Sequence, residues 1–68
     1  MRPPYYTEYN VDVTQRIEEG KTIFFEGVDE KTKRKAEAKA KSIRRYIYNV
    51  FAYNKHDRLV LVGYAVPK

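Results

Sequence analysis

The stretch Asp29-Glu-Lys-Thr-Lys-Arg-Lys-Ala-Glu-Ala-Lys-Ala-Lys-Ser-Ile-Arg-Arg-Tyr-Ile-Tyr-Asn-Val-Phe-Ala-Tyr-Asn54 decides how the rest of the chain is read. It holds neither Pro nor Gly, and its first half is built of strong helix formers. Ala36, Ala40, Ile43, Ile47, Val50 and Phe51 recur at steps of three and four. Those steps put them in one stripe on a helix of about 3.6 residues per turn. One amphipathic helix is therefore predicted over 29–54. Asp29 suits the N-cap, because its carboxylate can accept the unpaired N–H groups of the first turn. Asn54 tolerates a left-handed C-cap. Val28 and Lys33 occupy the staple positions and make no apolar pair.

Upstream, Tyr5, Thr7, Tyr9, Val11 and Val13 alternate with Tyr6, Glu8, Asn10 and Asp12. That period of two, with aromatic and β-branched residues on one side, predicts a half-buried strand. Glu18-Glu19-Gly20-Lys21 reads as a turn in which Gly20 takes positive φ, and Thr22–Glu26 as the returning strand, so that 5–27 forms a hairpin. Downstream of a polar break, 58–66 is a third strand. The expected fold is a single α+β domain over 1–68 in chain order β-β-α-β. It has a three-stranded antiparallel sheet of order 2-1-3, one long helix on one face, and a short tail over 1–4.

The third strand is apolar on both faces. Leu59, Leu61, Gly63 and Ala65 alternate with Val60, Val62, Tyr64 and Val66. A strand covered on one side only should alternate with polar residues. The small pair Gly63 and Ala65 suits close approach of Ala36 and Ala40, which assigns the first set to the helix. Val60, Val62, Tyr64 and Val66 are then left for a homodimer through the sheet or for a partner, unless the short N-terminal tail folds across them. A homodimer is expected, and Val62→Lys should dissociate it.

At 68 residues the chain buries only about 60% of its unfolded surface. With no Cys, neither disulfides nor thiolate metal sites can support it. No run approaches the roughly 20 apolar residues of a membrane span, and Met-Arg-Pro-Pro-Tyr-Tyr lacks the apolar core of a signal peptide. A soluble, intracellular, cytoplasmic protein is expected, with no membrane partner.

The net charge of +5 is concentrated in the predicted helix. Lys31, Lys33, Arg34, Lys35, Lys39, Lys41, Arg44 and Arg45 stand against Asp29, Glu30 and Glu37, while the remaining chain is balanced. Lys31, Arg34, Lys35, Lys41 and Arg45 map to the side away from the apolar stripe. Such a ridge can neutralise phosphates, and nearby tyrosines can stack on exposed bases. It can also be a solvated helix face with Glu37 and Lys41 as an i,i+4 pair. Two features favour the first reading. Cations crowd the N-terminal half, where the helix dipole disfavours them, and the signs are not mixed as they are on a helix built for solubility. Seven Tyr with no Trp suit a binding surface without choosing its partner.

No catalytic set is evident. His56 is the single histidine, beside Asp57 in a polar loop, with no Cys nucleophile and no second His. Glu18 and Glu19 are adjacent in a turn and point apart, and the glycines are too scattered to cradle phosphate. No cofactor or metal is expected. The expected function is a small non-enzymatic basic protein that engages nucleic acid, DNA or RNA, or a nucleoprotein complex. Lys31, Arg34, Lys35, Lys41, Arg44, Arg45 and Tyr48 are the contacts. The alternative is a small inhibitor or adaptor of phage or mobile-element type, anti-CRISPR-like, that binds a host protein.

The run Phe25-Glu-Gly-Val-Asp-Glu-Lys-Thr-Lys33, leading into an Ala-rich basic helix, resembles the strand-to-helix step of the arm-binding domains of tyrosine integrases. Those domains place three strands before the helix, whereas here one follows it, so no site residue is carried over.

Overall fold

The computed structural model describes residues 3–68. In chain order the elements are β1 (Tyr6–Thr7), α1 (Thr14–Glu18), β2 (Thr22–Glu26), α2 (Glu30–Ser42), β3 (Tyr48–Tyr53) and β4 (Leu59–Pro67). The strands form one antiparallel sheet of order β1-β3-β4-β2. The class is α+β, as the sequence suggests. The three-stranded sheet of order 2-1-3 with one long helix is not what forms: there are four strands and two helices. Half of the expected tail, Met1 and Arg2, lies outside the described residues.

The main correction falls on the second half of the 29–54 stretch. α2 begins at the expected place, with Asp29 in the N-cap position, but the Asp29 carboxylate makes no bond to a first-turn N–H and takes the Thr32 hydroxyl, and the helix ends at Ser42. From Tyr46 to Tyr53 nearly every residue is aromatic or β-branched. Such side chains lose rotamer freedom against the preceding helical turn and pack well on a pleated surface. The three- and four-residue steps that continue past Ile43 are incidental to a strand: Val50 and Phe51 point to opposite faces of β3. A polar turn then reverses the chain. The Asp57 N–H donates to the Asn54 carbonyl at 3.0 Å, Asp57 takes φ 60, and the Asn54 side-chain oxygen accepts the N–H groups of His56 and Arg58. That is a tight turn followed by a left-handed residue, a favoured hairpin connection.

α2 stops through its own backbone. The Arg45 N–H donates to the Ala40 carbonyl at 2.8 Å and the Arg44 N–H to that of Lys41 at 3.3 Å, with Arg44 at φ 57. This pair of bonds closes a helix end around one left-handed residue, a place usually taken by glycine. α1 ends in the same way with a glycine: Lys21 donates to Arg16, Gly20 to Ile17, and Gly20 has φ 76. The expected positive φ at Gly20 is present, but it caps a helix and does not turn a hairpin.

The expected strand over 5–13 also folds otherwise. Asn10, at φ 64, lets the chain double back. The Asn10 N–H donates to the Thr7 carbonyl and the Thr7 N–H to that of Val11, both at 2.9 Å. The buried Thr7 hydroxyl oxygen accepts the N–H groups of Tyr9 and Val11. Local side-chain bonds of this kind compete with a sheet ladder. Only Tyr6–Thr7 remains as strand, paired with β3 and not with β2. β2 pairs with β4, so 5–27 is not a hairpin.

β4 is the centre of the sheet and carries a bulge. Val50 opposes Gly63 while Phe51 opposes Leu61, leaving Val62 as the extra residue. The bulge reverses the inside–outside phase along β4. Leu61, Tyr64 and Val66 pack under α2 with Ala36, Ala40, Phe25, Ile43 and Ile47. Val60, Val62 and Ala65 lie on the other side with Val50, Ala52, Phe24 and Tyr5. The expected dimer or partner face of Val60, Val62, Tyr64 and Val66 is therefore not one face. Tyr64 and Val66 are buried against the helix side, Val62 is buried on the other, and Val60 is half-buried there. Of the residues assigned to the helix, Leu61 is there and Ala65 is not. The second face is covered by Tyr5 and the chain that follows it, not by the short tail expected as the alternative to a dimer, whose Pro3 and Pro4 are exposed.

Gly63 is needed where β2 pairs closely with β4. A Cβ there would overlap the Phe25 carbonyl oxygen and stand 2.8 Å from the Phe24 ring. Gly63→Ala should therefore lower stability in urea unfolding by about 1–3 kcal/mol, the usual cost of overpacking. Arg44→Gly should act in the opposite direction. The left-handed conformation costs a non-glycine residue about 1–2 kcal/mol, and glycine's greater unfolded freedom offsets part of the relief. A net gain of about 0.5–1 kcal/mol is expected in the same assay.

Candidate nucleic-acid interface

α2 buries only Ala36 and Ala40. At 100° per residue, Lys31, Arg34, Lys35 and Lys41 fall on the side opposite these two alanines, and all four are exposed. Lys33 lies on the flank and is half-buried. Arg44 and Arg45 follow in the helix cap, both exposed. Four of the seven sequence-predicted contacts thus share one side of α2, and Arg44 and Arg45 are exposed just beyond its end. The seventh, Tyr48, lies apart. It starts β3, opposes Ala65, and meets the Tyr9 ring edge-to-face at 6.4 Å on the other side of the sheet.

The short helix changes part of the charge argument. Lys39 and Lys41 are in the last turn of α2, where the dipole favours cations. Glu30 is in the first turn and stands 3.9 Å from the Arg34 guanidinium, with both side chains mostly exposed. An exposed pair of this kind contributes little. Arg44 and Arg45 follow the C-cap Ile43, where the dipole also favours cations, so Lys31 and Lys35 keep the part of the cationic excess that no local helix rule requires.

The helix start is set by side chains. The Thr32 hydroxyl donates to the Asp29 carboxylate. That bond holds the Asp29 carboxyl below the usual carboxylate range, against a smaller opposing effect of desolvation. Gly27 precedes it at φ 134, with the Thr32 hydroxyl oxygen only 2.7 Å from where a Cβ would stand. At the other end of the molecule the Asp12 carboxylate accepts the Thr14 N–H at 2.9 Å, and the Thr14 backbone and hydroxyl together lower its pKa. The Thr14 oxygen accepts the Tyr5 N–H at 2.7 Å, which ties the N-terminal segment to α1.

A second surface was not legible in the sequence. α2 packs chiefly on β4 and β2, so the β3–β1 half of the same sheet face has no helix over it. Pairing places Asn49, Phe51, Tyr53, Leu59 and Tyr6 on that half. Tyr53 is 49% exposed and Leu59 41%. Tyr6 and Tyr53 meet edge-to-face at 5.9 Å. Reading 46–53 as helix scattered these residues around a wheel; the period of two in Asn49, Phe51 and Tyr53 was the available signal.

On the opposite side, a cavity of about 270 Å³ opens between the Thr7–Val13 loop and the sheet, lined by Tyr9, Val11, Tyr48 and Pro67 among others, with Arg16 beside them. His56 sits in the exposed β3–β4 turn. Among the described residues no group of three or more His, Cys, Asp or Glu is arranged to hold a metal ion, and no helix is long and apolar enough to cross a membrane. Compared with family models, curated proteins and solved structures, the chain matches none.

Both lowered carboxyls act in the folded state, against about 3.9 for an unfolded aspartate. Their stabilisation is complete above that value and is lost as pH falls through the lower folded values. Thermal midpoints should be level from neutral pH down to about 5 and fall below about 4. The double variant Asp12→Asn with Asp29→Asn should flatten that acid limb. An unchanged limb would assign acid sensitivity to other groups.

Proposed function

We propose that this protein binds nucleic acid, alone or within a nucleoprotein complex, through the outer face of α2 and the arginines of its cap. The observation that carries the reading is the ridge itself. Lys31, Arg34, Lys35, Lys41, Arg44 and Arg45 are all exposed on one helix and its cap, and the ridge faces away from a buried side of two alanines. Charges so placed add nothing to the core, and they suit a polyanion whose phosphates recur along a line. Phosphate contacts position a protein without reading sequence, so low sequence specificity is expected. The chain carries no catalytic step in this proposal.

The test is a fluorescence-anisotropy titration of labelled duplex and single-stranded oligonucleotides at several salt concentrations. Log affinity should fall linearly with log salt, with a slope of about −3 to −5 if four to six phosphates are neutralised. Arg45→Glu should weaken binding while circular dichroism stays the same and stability moves by less than about 0.5 kcal/mol. No binding at about 50 mM salt, or binding indifferent to salt, sinks the proposal. A partner recovered from lysate and retained after nuclease treatment would favour the alternative, an inhibitor or adaptor seated on an acidic protein surface.

A further inference from the structure

We infer that the nucleic acid taken by this protein is single-stranded, and that its bases stack on the open half of the sheet, on Phe51, Tyr53 and Tyr6. The inference rests on the phosphate-binding reading of α2 and narrows its ligand. α2 occupies the β4–β2 half of one sheet face and leaves the β3–β1 half beside it without a helix, with Tyr53 exposed and Phe51 and Tyr6 half-buried. A basic ridge and an aromatic floor thus belong to the same side of the molecule.

The floor is regular. Phe51 and Tyr53 are two residues apart on β3, about 6.6–6.8 Å along the strand. Tyr6 lies across from Phe51 on β1, with Cβ atoms about 4.5–5.5 Å apart for directly opposed residues. Cations stand at both ends of this track. Arg44 and Arg45 precede β3, and Lys55 and Arg58 flank the β3–β4 turn, all four exposed. Acids are few here: Asp57 lies in the turn, and Glu8 stands at the β1 rim, where its carboxylate accepts the Asn49 N–H at 3.4 Å. The phosphate backbone therefore runs on the α2 side of the rings, away from Glu8.

This arrangement selects among polyanions. A duplex keeps its bases stacked and offers an aromatic floor only sugar and phosphate. An unpaired strand offers base faces, and stacking on aromatic side chains is tolerant of sequence because every base has one. A purely apolar partner would have no use for the flanking cations, and a second copy of this basic chain would bring like charge to the same edge.

The experiment uses the whole chain and labelled oligonucleotides of about twelve nucleotides, within the span of known single-strand sites: oligo-dT, oligo-rU and a matched duplex. Both single strands should bind more tightly than the duplex. Tyr53→Ala should lower single-strand affinity roughly tenfold, with duplex affinity and the salt slope unchanged. Tyr53→Phe should bind as the parent does, and Tyr53→Leu, which keeps apolar bulk without a ring, should behave as Tyr53→Ala. Arg45→Glu should weaken both duplex and single strand. If Tyr53→Ala and Tyr53→Leu bind oligo-dT as tightly as the parent, or if the duplex binds at least as tightly as the single strands, the stacking inference is overturned while the phosphate ridge stands. If none of the oligonucleotides binds, both are overturned.

Discussion

The contact on which the structure depends is the close pairing of β2 with β4 at Gly63. The Phe25 carbonyl, the Phe24 ring and the Glu26 backbone all lie within reach of the missing Cβ. Next to it the bulge at Val62 moves β4 from one phase to the other, and the Val62 carbonyl still finds a donor in the Gly27 N–H at 2.9 Å. One strand thereby serves two cores, with Leu61, Tyr64 and Val66 on the α2 side and Val60, Val62 and Ala65 on the other. A chain of 68 residues has little apolar surface to spend. Burying both faces of its central strand draws the most from it.

That arrangement frees the helix from structural demands. α2 contributes two alanines to the core, and the larger buried side chains, Val50 and Val66, come from strands. Most of the helix surface can then carry charge at little cost to packing. The excess is uneven in a way that geometry explains only in part. Lys39, Lys41 and the two cap arginines suit the C-terminal dipole and Glu30 the N-terminal one, whereas Lys31 and Lys35 have no such local reason. Arg44 also holds a left-handed backbone that glycine would adopt more readily.

The helix is also too narrow to cover the sheet it lies on, since at about 10 Å across it lies over two strands spaced about 4.8 Å apart. Its thirteen residues cover β4 and β2 and leave β3 and β1 open on the same side. The N-terminal segment, by contrast, is folded on itself by Thr7, Asp12 and Thr14 hydrogen bonds and packs Tyr5 on Phe24 of the opposite face. One face is closed by loop structure and the other is half open beside a basic ridge. The asymmetry between the two faces is what gives the molecule a surface with both rings and cations.

From the residues alone, the α+β class, the N-cap at Asp29, the positive φ at Gly20, the strand at Thr22–Glu26 and the exposed basic ridge were all readable, because each follows from local chemistry within a few residues. The end of the helix was not. Ile43, Ile47, Val50 and Phe51 satisfy a helical period, and a strand has no signal that overrides it until Tyr48–Tyr53 finds β1 and β4 on either side. The double-back at Thr7–Asn10 likewise replaces an alternation that a strand would satisfy equally well. The placement of Val60, Val62, Tyr64 and Val66 could not be deduced at all, since a bulge is a property of two paired strands and reverses the side of every residue beyond it. Local sequence determined which segments are helix-forming, capped or charged. Only tertiary pairing decided which rings share a face with those charges, because partner and register depend on residues far apart in the chain.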